Sequence, residues 1–171
     1  MEEIKIRPLK ESEIECRVAQ IYEGRGLTLL LYKDARVDIK ILNETFGIFG
    51  WERHHSRDNA NCTVSLWDAE NKHWVEKEDT GTESFTEKEK GLASDSFKRS
   101  CFNIGIGLEL YTAPLIWIPA DKIKKWDTNK SGKPSVKDRF RVKYINTVDG
   151  KIEQLVIFNE TTKEDCFKWG M

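Results

Sequence analysis

The chain has no long hydrophobic run, and this absence excludes a membrane-spanning helix. A span needs about 20 predominantly apolar residues, and no segment of the 171-residue sequence approaches that length. Residues 1–5 also lack a basic region followed by an apolar core, so we expect no signal peptide. Hydrophobic residues make up 39% and charged residues 33% of the chain, a balance typical of soluble, ordered proteins.

Cysteine is scarce, and its spacing suits neither a metal site nor a disulfide framework. The 4 cysteines are widely separated and form no Cys-x-x-Cys pair. The 3 histidines, His54, His55 and His73, have no zinc-site spacing relative to them. We therefore expect reduced thiols in a cytoplasmic protein, with no metal ion and no cofactor.

An excess of positive charge is also missing. The chain carries 28 Lys and Arg against 29 Asp and Glu, a formal net charge of −1. DNA-binding domains usually carry a basic surplus, so charge balance alone counts against nucleic acid. Any such site must be a local concentration of cations offset by acid elsewhere, and oligomerisation could align such patches into one groove.

The hydrophobic pattern predicts a single α+β domain over residues 1–171. Leu9, Ile14 and Val18 recur at helical spacing, and residues 27–32 suit a strand or the entry to a helix. Asp34 can cap a flanking helix that ends at Gly47. Alternating residues then predict an antiparallel meander, with strands at residues 49–56, 61–67 and 74–80.

A long helix over residues 87–105 should cross this meander. A short strand follows at residues 115–118, then a polar loop at residues 127–135. The Asp149-Gly150 turn predicts a C-terminal β-hairpin at residues 139–160. The last five residues should be partly loose.

The long helix has two different faces at about 100° per residue. Ala93, Phe97, Cys101 and Ile104 fall on an apolar face. The opposite face carries a cationic pair and its neighbours: Lys88, Asp95, Lys98, Arg99 and Phe102. A cationic pair on a rigid support suits a phosphate backbone. The alternative is an ordinary solvated face on a core helix.

Several sequence blocks, in order, resemble the Rad-fifty-two-type single-strand DNA annealing proteins, most closely the phage and prophage recombinase branch. The resemblance covers about residues 12–118. The blocks are LYKDAR (31–36), LNETFG (42–47) with Trp51, DTGTES (79–84), EKEKG (87–91), ASDSFKR (93–99) and GIGLELYTAP (105–114). One departure is Leu108, where that branch usually has arginine.

The resemblance implies binding of single-stranded DNA and ATP-independent annealing of complementary strands in phage-type homologous recombination and repair. It also implies a homo-oligomeric ring that holds the strand in an outer groove and has no catalytic residue. The setting would be the bacterial host cytoplasm, with phage or host recombination proteins as possible partners.

The resemblance also implies which residues contact the strand. Lys98 and Arg99 match the basic pair of the family's inner groove, and Tyr32 matches an aromatic that approaches the strand. Lys33 and Arg36 supply charge beside it, and Arg17 resembles an arginine near the groove. Lys90 is a further candidate, although Glu87 and Glu89 would partly neutralise it.

Three alternatives remain open from the residues themselves. The acidic stretch at residues 76–79 around Lys77, together with Glu83, resembles part of a magnesium nuclease motif: Glu76, Glu78 and Asp79. The chain could instead be a structural oligomerisation domain without DNA binding. Four tryptophans in strands could stack on bases, although core or interface packing is the commoner role: Trp51, Trp67, Trp74 and Trp117.

Overall fold

The computed structural model describes residues 4–82 and 88–171, without the side chains of residues 88–90. Within these ranges the chain forms two α-helices, α1 (Ala35–Phe46) and α2 (Lys88–Phe102), and three short 3-10 helices. The strands are β1 (Glu15–Tyr22), β2 (Gly26–Tyr32), β3 (Trp51–Ser56), β4 (Asn61–Asp68), β5 (His73–Thr80), β6 (Ile116–Pro119), β7 (Trp126–Thr128), β8 (Pro134–Val136), β9 (Phe140–Val148), β10 (Lys151–Asn159) and β11 (Glu164–Trp169). The predicted α+β class is confirmed. No helix in the described ranges has the length and apolar content needed to cross a membrane.

The chain divides into two compact units, whereas the sequence analysis treats residues 1–171 as one domain. The first unit comprises Met1–Pro8 and Asp34–Leu108. The second comprises Leu9–Lys33 and Glu109–Met171. Each unit has its own sheet, and a candidate site in either one must be built from that unit's own residues.

The first unit is the predicted antiparallel meander crossed by a long helix. Its sheet has the order β3-β4-β5, and α2 packs across β4 and β5 with α1 beside it. The core side chains of this unit are buried: Ile41, Leu42, Cys62, Val64, Phe97 and Cys101. This packing makes α2 a rigid support for whatever its outer face presents.

Helix α1 begins and ends as its sequence predicts. The Asp34 carboxylate accepts a hydrogen bond from the backbone N–H of Arg36 at 2.8 Å, which satisfies one donor of the first turn. At the other end Gly47 adopts φ +73° and donates its N–H to the carbonyl of Asn43.

The second unit is a six-stranded antiparallel sheet in the order β11-β10-β9-β1-β2-β6. The edge strands β6 and β11 approach one another, so the sheet curls around its apolar side chains. The core of this unit includes Leu27, Leu29, Ile116, Ile118, Val142, Leu155 and Ile157. The predicted hairpin is confirmed as β9 and β10, joined through Asp149 and Gly150, both at positive φ.

The structure differs from the sequence predictions in three places. Residues 9–18 form a short 3-10 helix followed by β1, because that segment pairs with β2 after a turn at Gly24. The end of the chain, expected to be partly loose, is ordered as far as Trp169, because β11 pairs with β10. The polar loop at residues 127–135 contains the small β7–β8 hairpin.

Candidate nucleic-acid interface

Helix α2 is held to the meander by an apolar and hydroxyl face. Phe97 and Cys101 are fully buried, and the Trp51 ring stacks on Phe97 at a centroid distance of 6.2 Å. Ser96 and Ser100 are buried beside them. These serines were not among the predicted residues, but they share the buried face because they are three or four residues from its apolar members.

Both serines are satisfied by backbone carbonyls, as burial of a hydroxyl requires. Ser96 donates to Asn59 at 3.0 Å, and Ser100 donates to the carbonyl of Cys62 in β4. The helix also lies close to Gly81, where an added Cβ would be 2.5 Å from the Ser96 nitrogen. Only glycine permits this close approach, which fixes where α2 crosses the sheet.

Lys98 and Arg99 are half-exposed on the outer part of α2. Among the described residues Lys98 has no hydrogen bond or ion pair. Arg99 is different, since its Nε lies 3.4 Å from Asp79 Oδ1 in β5, with the Arg99 side chain 43% exposed. The predicted pair is therefore present, but Asp79 partly neutralises one of its two charges.

Arg53 adds a third cation to this helix and was missed by the sequence analysis. Its guanidinium lies over the Phe97 ring, 4.6 Å from the centroid, which is a cation–π geometry. The signal was available in β3, where Trp51, Arg53 and His55 alternate onto the face that α2 covers. Arg53 remains exposed, so its charge can contribute to an anion site.

His55 lies on the same face as Arg53, with Nδ1 3.5 Å from the Ser96 hydroxyl. Burial, followed by the positive charge of Arg53, lowers the pKa of His55 below its usual range. The folded state therefore binds fewer protons than the unfolded state just below about pH 6.5. The resulting contribution to stability is complete above that pH and is lost as the pH falls through it.

We accordingly expect the urea concentration at the unfolding midpoint to decrease when the pH is lowered from about 7 to about 5. The decrease should be larger for the wild-type protein than for His55→Gln. Equilibrium unfolding across this pH series measures the difference. His54→Gln is the matched control, because His54 is exposed on the other face of β3. Equal pH dependence in wild type and His55→Gln would contradict the assignment.

Two other predicted DNA contacts, Arg36 and Lys90, lie in the first unit. Arg36 is exposed in the first turn of α1, where it is accessible to an anion. Lys90 belongs to α2, but its side chain is outside the described part of the chain. Leu108, at the position where the phage branch has arginine, is 52% exposed and supplies no charge.

Arg17 and Tyr32 lie in the second unit, on one face of the β1–β2 ladder. Arg17 pairs with Leu30, and Glu15 pairs with Tyr32, whose hydroxyl donates to the Glu15 carboxylate. Arg17 is exposed, Leu30 is 61% exposed and Tyr32 is 38% exposed. This face combines a cation with an aromatic ring, a pattern suited to a single strand.

Lys33 does not join this face. Its side chain is only 1% exposed, and it continues the inward alternation of Leu27, Leu29 and Leu31 along β2. A buried ammonium cannot reach a phosphate without a rearrangement. The structure therefore places Lys33 inside the fold, in contrast to the contact predicted from the sequence.

The tryptophans serve mainly as packing groups, although two remain accessible. Trp51 stacks on Phe97, and Trp117 lies 5.4 Å from the Tyr22 ring. Trp67 and Trp74 pair edge to face at 5.4 Å and are 39% and 40% exposed. These two lie on the sheet face opposite α2, together with Glu76 and Glu78. That acidic neighbourhood disfavours a phosphate backbone.

Two of the three carboxylates of β5, those of Glu78 and Asp79, are engaged by neighbouring side chains. Glu78 accepts hydrogen bonds from Asn61 at 2.8 Å and Thr63 at 2.9 Å. Asp79 points to the opposite face and pairs with Arg99. Among the described residues no three His, Cys, Asp or Glu side chains converge in a metal-binding group.

The structure thus brings Lys98, Arg99 and Arg53 to α2 in the first unit, and Arg17 with Tyr32 to one ladder in the second. Comparison with known proteins identifies no relative: no family model, curated protein or solved structure matches the chain.

Proposed function

We propose that the protein binds single-stranded DNA and anneals complementary strands without ATP. The main support is the cationic outer part of α2, where Lys98 and Arg99 stand half-exposed on a helix fixed by fully buried Phe97 and Cys101. Cations held in this way contact phosphates independently of base sequence. An annealing protein needs that arrangement, because base edges must stay free to pair.

A single subunit offers few such contacts, and its net charge is −1. Tight binding would therefore need several subunits whose patches act on one strand, with the gain that effective concentration provides. We propose a homo-oligomer, of ring form as the family resemblance implies. Such an assembly places many weak phosphate contacts in register along one strand.

A fluorescent oligothymidylate titration over a salt series tests the binding. We expect affinity to fall steeply with salt, with a log–log slope of about −0.7 for each phosphate contact. Mixed-sequence strands of equal length should bind with similar affinity. In a stopped-flow assay, complementary strands should pair faster with protein present and without ATP or magnesium.

Several outcomes would contradict parts of this proposal. A salt-independent affinity or a strong sequence preference would refute phosphate-based binding. Strand shortening on a labelled duplex after magnesium addition would favour the nuclease alternative. Light scattering on the same sample reports assembly: an oligomer that neither binds nor accelerates pairing would indicate a structural domain, and a monomer that accelerates pairing would refute the shared groove.

A further inference from the structure

A second concentration of positive charge lies in the second unit, on residues not yet discussed. Seven side chains line a depression of about 770 Å³, and five of them are cationic. The lining residues are Lys124, Lys125, Lys137, Arg139, Glu160, Thr161 and Lys163. We call this depression the lysine pocket. It joins the segment before β7 to the starts of β9 and β11.

The buried Asp138 carboxylate holds the backbone of two lining residues of the lysine pocket, Lys124 and Lys125. Asp138 is 7% exposed, and its carboxylate accepts the backbone N–H groups of Lys124 and Lys125 at 2.9 and 2.6 Å. The Asn159 amide donates to the same carboxylate at 2.6 Å. Because Asp138 is committed to these internal donors, it orders the lysine-bearing segment while its own charge is turned inward.

Asn159 orders the backbone that carries the other lining residues of the lysine pocket. It is fully buried, and its Oδ1 accepts the backbone N–H of Thr161 at 2.9 Å. Thr161 in turn accepts the backbone N–H of Arg139 at 3.2 Å, and Lys163 donates its N–H to the carbonyl of Asn159. The cations therefore project from backbone that is hydrogen-bonded in place, which lowers the entropy lost on binding an anion.

The charges around the lysine pocket do not cancel. Glu160, the acidic lining residue, is 3.4 Å from Arg141, and Lys137 pairs with Asp127. The hydrogen bond that Lys137 donates to Asp127 lowers the pKa of the Asp127 carboxyl group. Among the described residues no carboxylate pairs with the side chains of Lys124, Lys125 or Lys163, and all three are exposed. Three strongly hydrated ammonium groups in one depression favour a ligand with several negative oxygens.

We propose that the lysine pocket binds backbone phosphates of single-stranded DNA, as a site separate from the cationic part of α2. This inference rests on the proposed function. The lining contains cations, a hydroxyl and a carboxylate but no aromatic ring, so it recognises phosphates and not bases.

The test compares three variants with the wild-type protein. Lys125→Gln with Lys163→Gln removes two charges from the lysine pocket. Lys72→Gln with Lys151→Gln is the matched control, because both lysines are exposed outside the pocket, Lys72 in a turn and Lys151 at the start of β10. Lys125→Arg with Lys163→Arg keeps the charge. Titrations use oligothymidylate and an abasic deoxyribose-phosphate strand of equal length.

We expect the pocket variant to bind both strands about fivefold to tenfold more weakly, with a salt slope less steep by about 1.4. The control and arginine variants should bind like the wild type, and thermal melts should coincide. Wild-type protein that binds neither strand refutes the proposed function itself. A pocket variant that binds like the control overturns only the pocket assignment. Displacement of the abasic strand by polyglutamate of equal charge would show a general polyanion site and overturn the phosphate assignment.

Discussion

Replacement of Phe97 by alanine should lower the free energy of unfolding by about 3–5 kcal/mol. Phe97 is fully buried in the first unit, where Trp51 stacks on it and Arg53 lies over its ring. Truncation leaves a cavity between α2 and β3 and removes both ring contacts. Urea unfolding followed by tryptophan fluorescence measures the loss, because Trp51 reports directly on this contact.

Phe102→Ala is the matched control on the same helix, since Phe102 is only half-buried. It should be destabilising by less than half as much. If the two substitutions have equal effects, α2 does not bury the face that the structure assigns to it, and the outward placement of Lys98 and Arg99 loses its basis.

Replacement of both Lys98 and Arg99 by alanine should weaken oligothymidylate binding by about tenfold to a hundredfold, or about 0.7–1.4 kcal/mol for each cation. Neither side chain contributes to the core, so the melting temperature should change little. Lys98→Ala alone should account for the larger part, because Asp79 already offsets part of the Arg99 charge.

Arg25→Ala with Lys151→Ala is the matched control, since it removes one exposed arginine from a turn and one exposed lysine from the start of β10, both in the second unit. It should leave binding unchanged. Equal affinity of the Lys98 and Arg99 variant and this control would separate α2 from the DNA interface. A variant that unfolds would show instead that the two side chains stabilise the helix.

Local signals in the sequence predicted the first unit well. Asp34 and Gly47 predict both ends of α1, and the alternation through Val64 predicts β4. Residues 9–18 were predicted wrongly because Leu9, Ile14 and Val18 fit a helical period. The strand is instead selected by pairing with β2 and with β9, whose partner Arg141 is distant in sequence. The spacing of apolar residues within one segment carries no information about a pairing strand that is distant in sequence.

The candidate site was predictable where it depended on helical spacing. Phe97 and Cys101 predict the buried face of α2, and Lys98 follows as its outward neighbour. The Asp79 partner of Arg99 was not predictable, because it requires the register between β5 and the helix. Lys33 was assigned to the interface through the family resemblance, and its burial follows from the pairing of β2 with β1, which the sequence left open. The lysine pocket combines segments that only the tertiary fold brings together.

The division of the chain also has a consequence for the order of folding. The segment Asp34–Leu108 lies between the two segments that build the second unit. During synthesis the strands β3, β4 and β5 and helix α2 emerge before β9 exists, so they can pair while β1 still lacks that neighbour. A folded insert shortens the effective loop between β1 and β9 and lowers its closure entropy. We expect a chain that stops before Phe140 to retain the first unit, although it lacks three of the six strands of the second sheet.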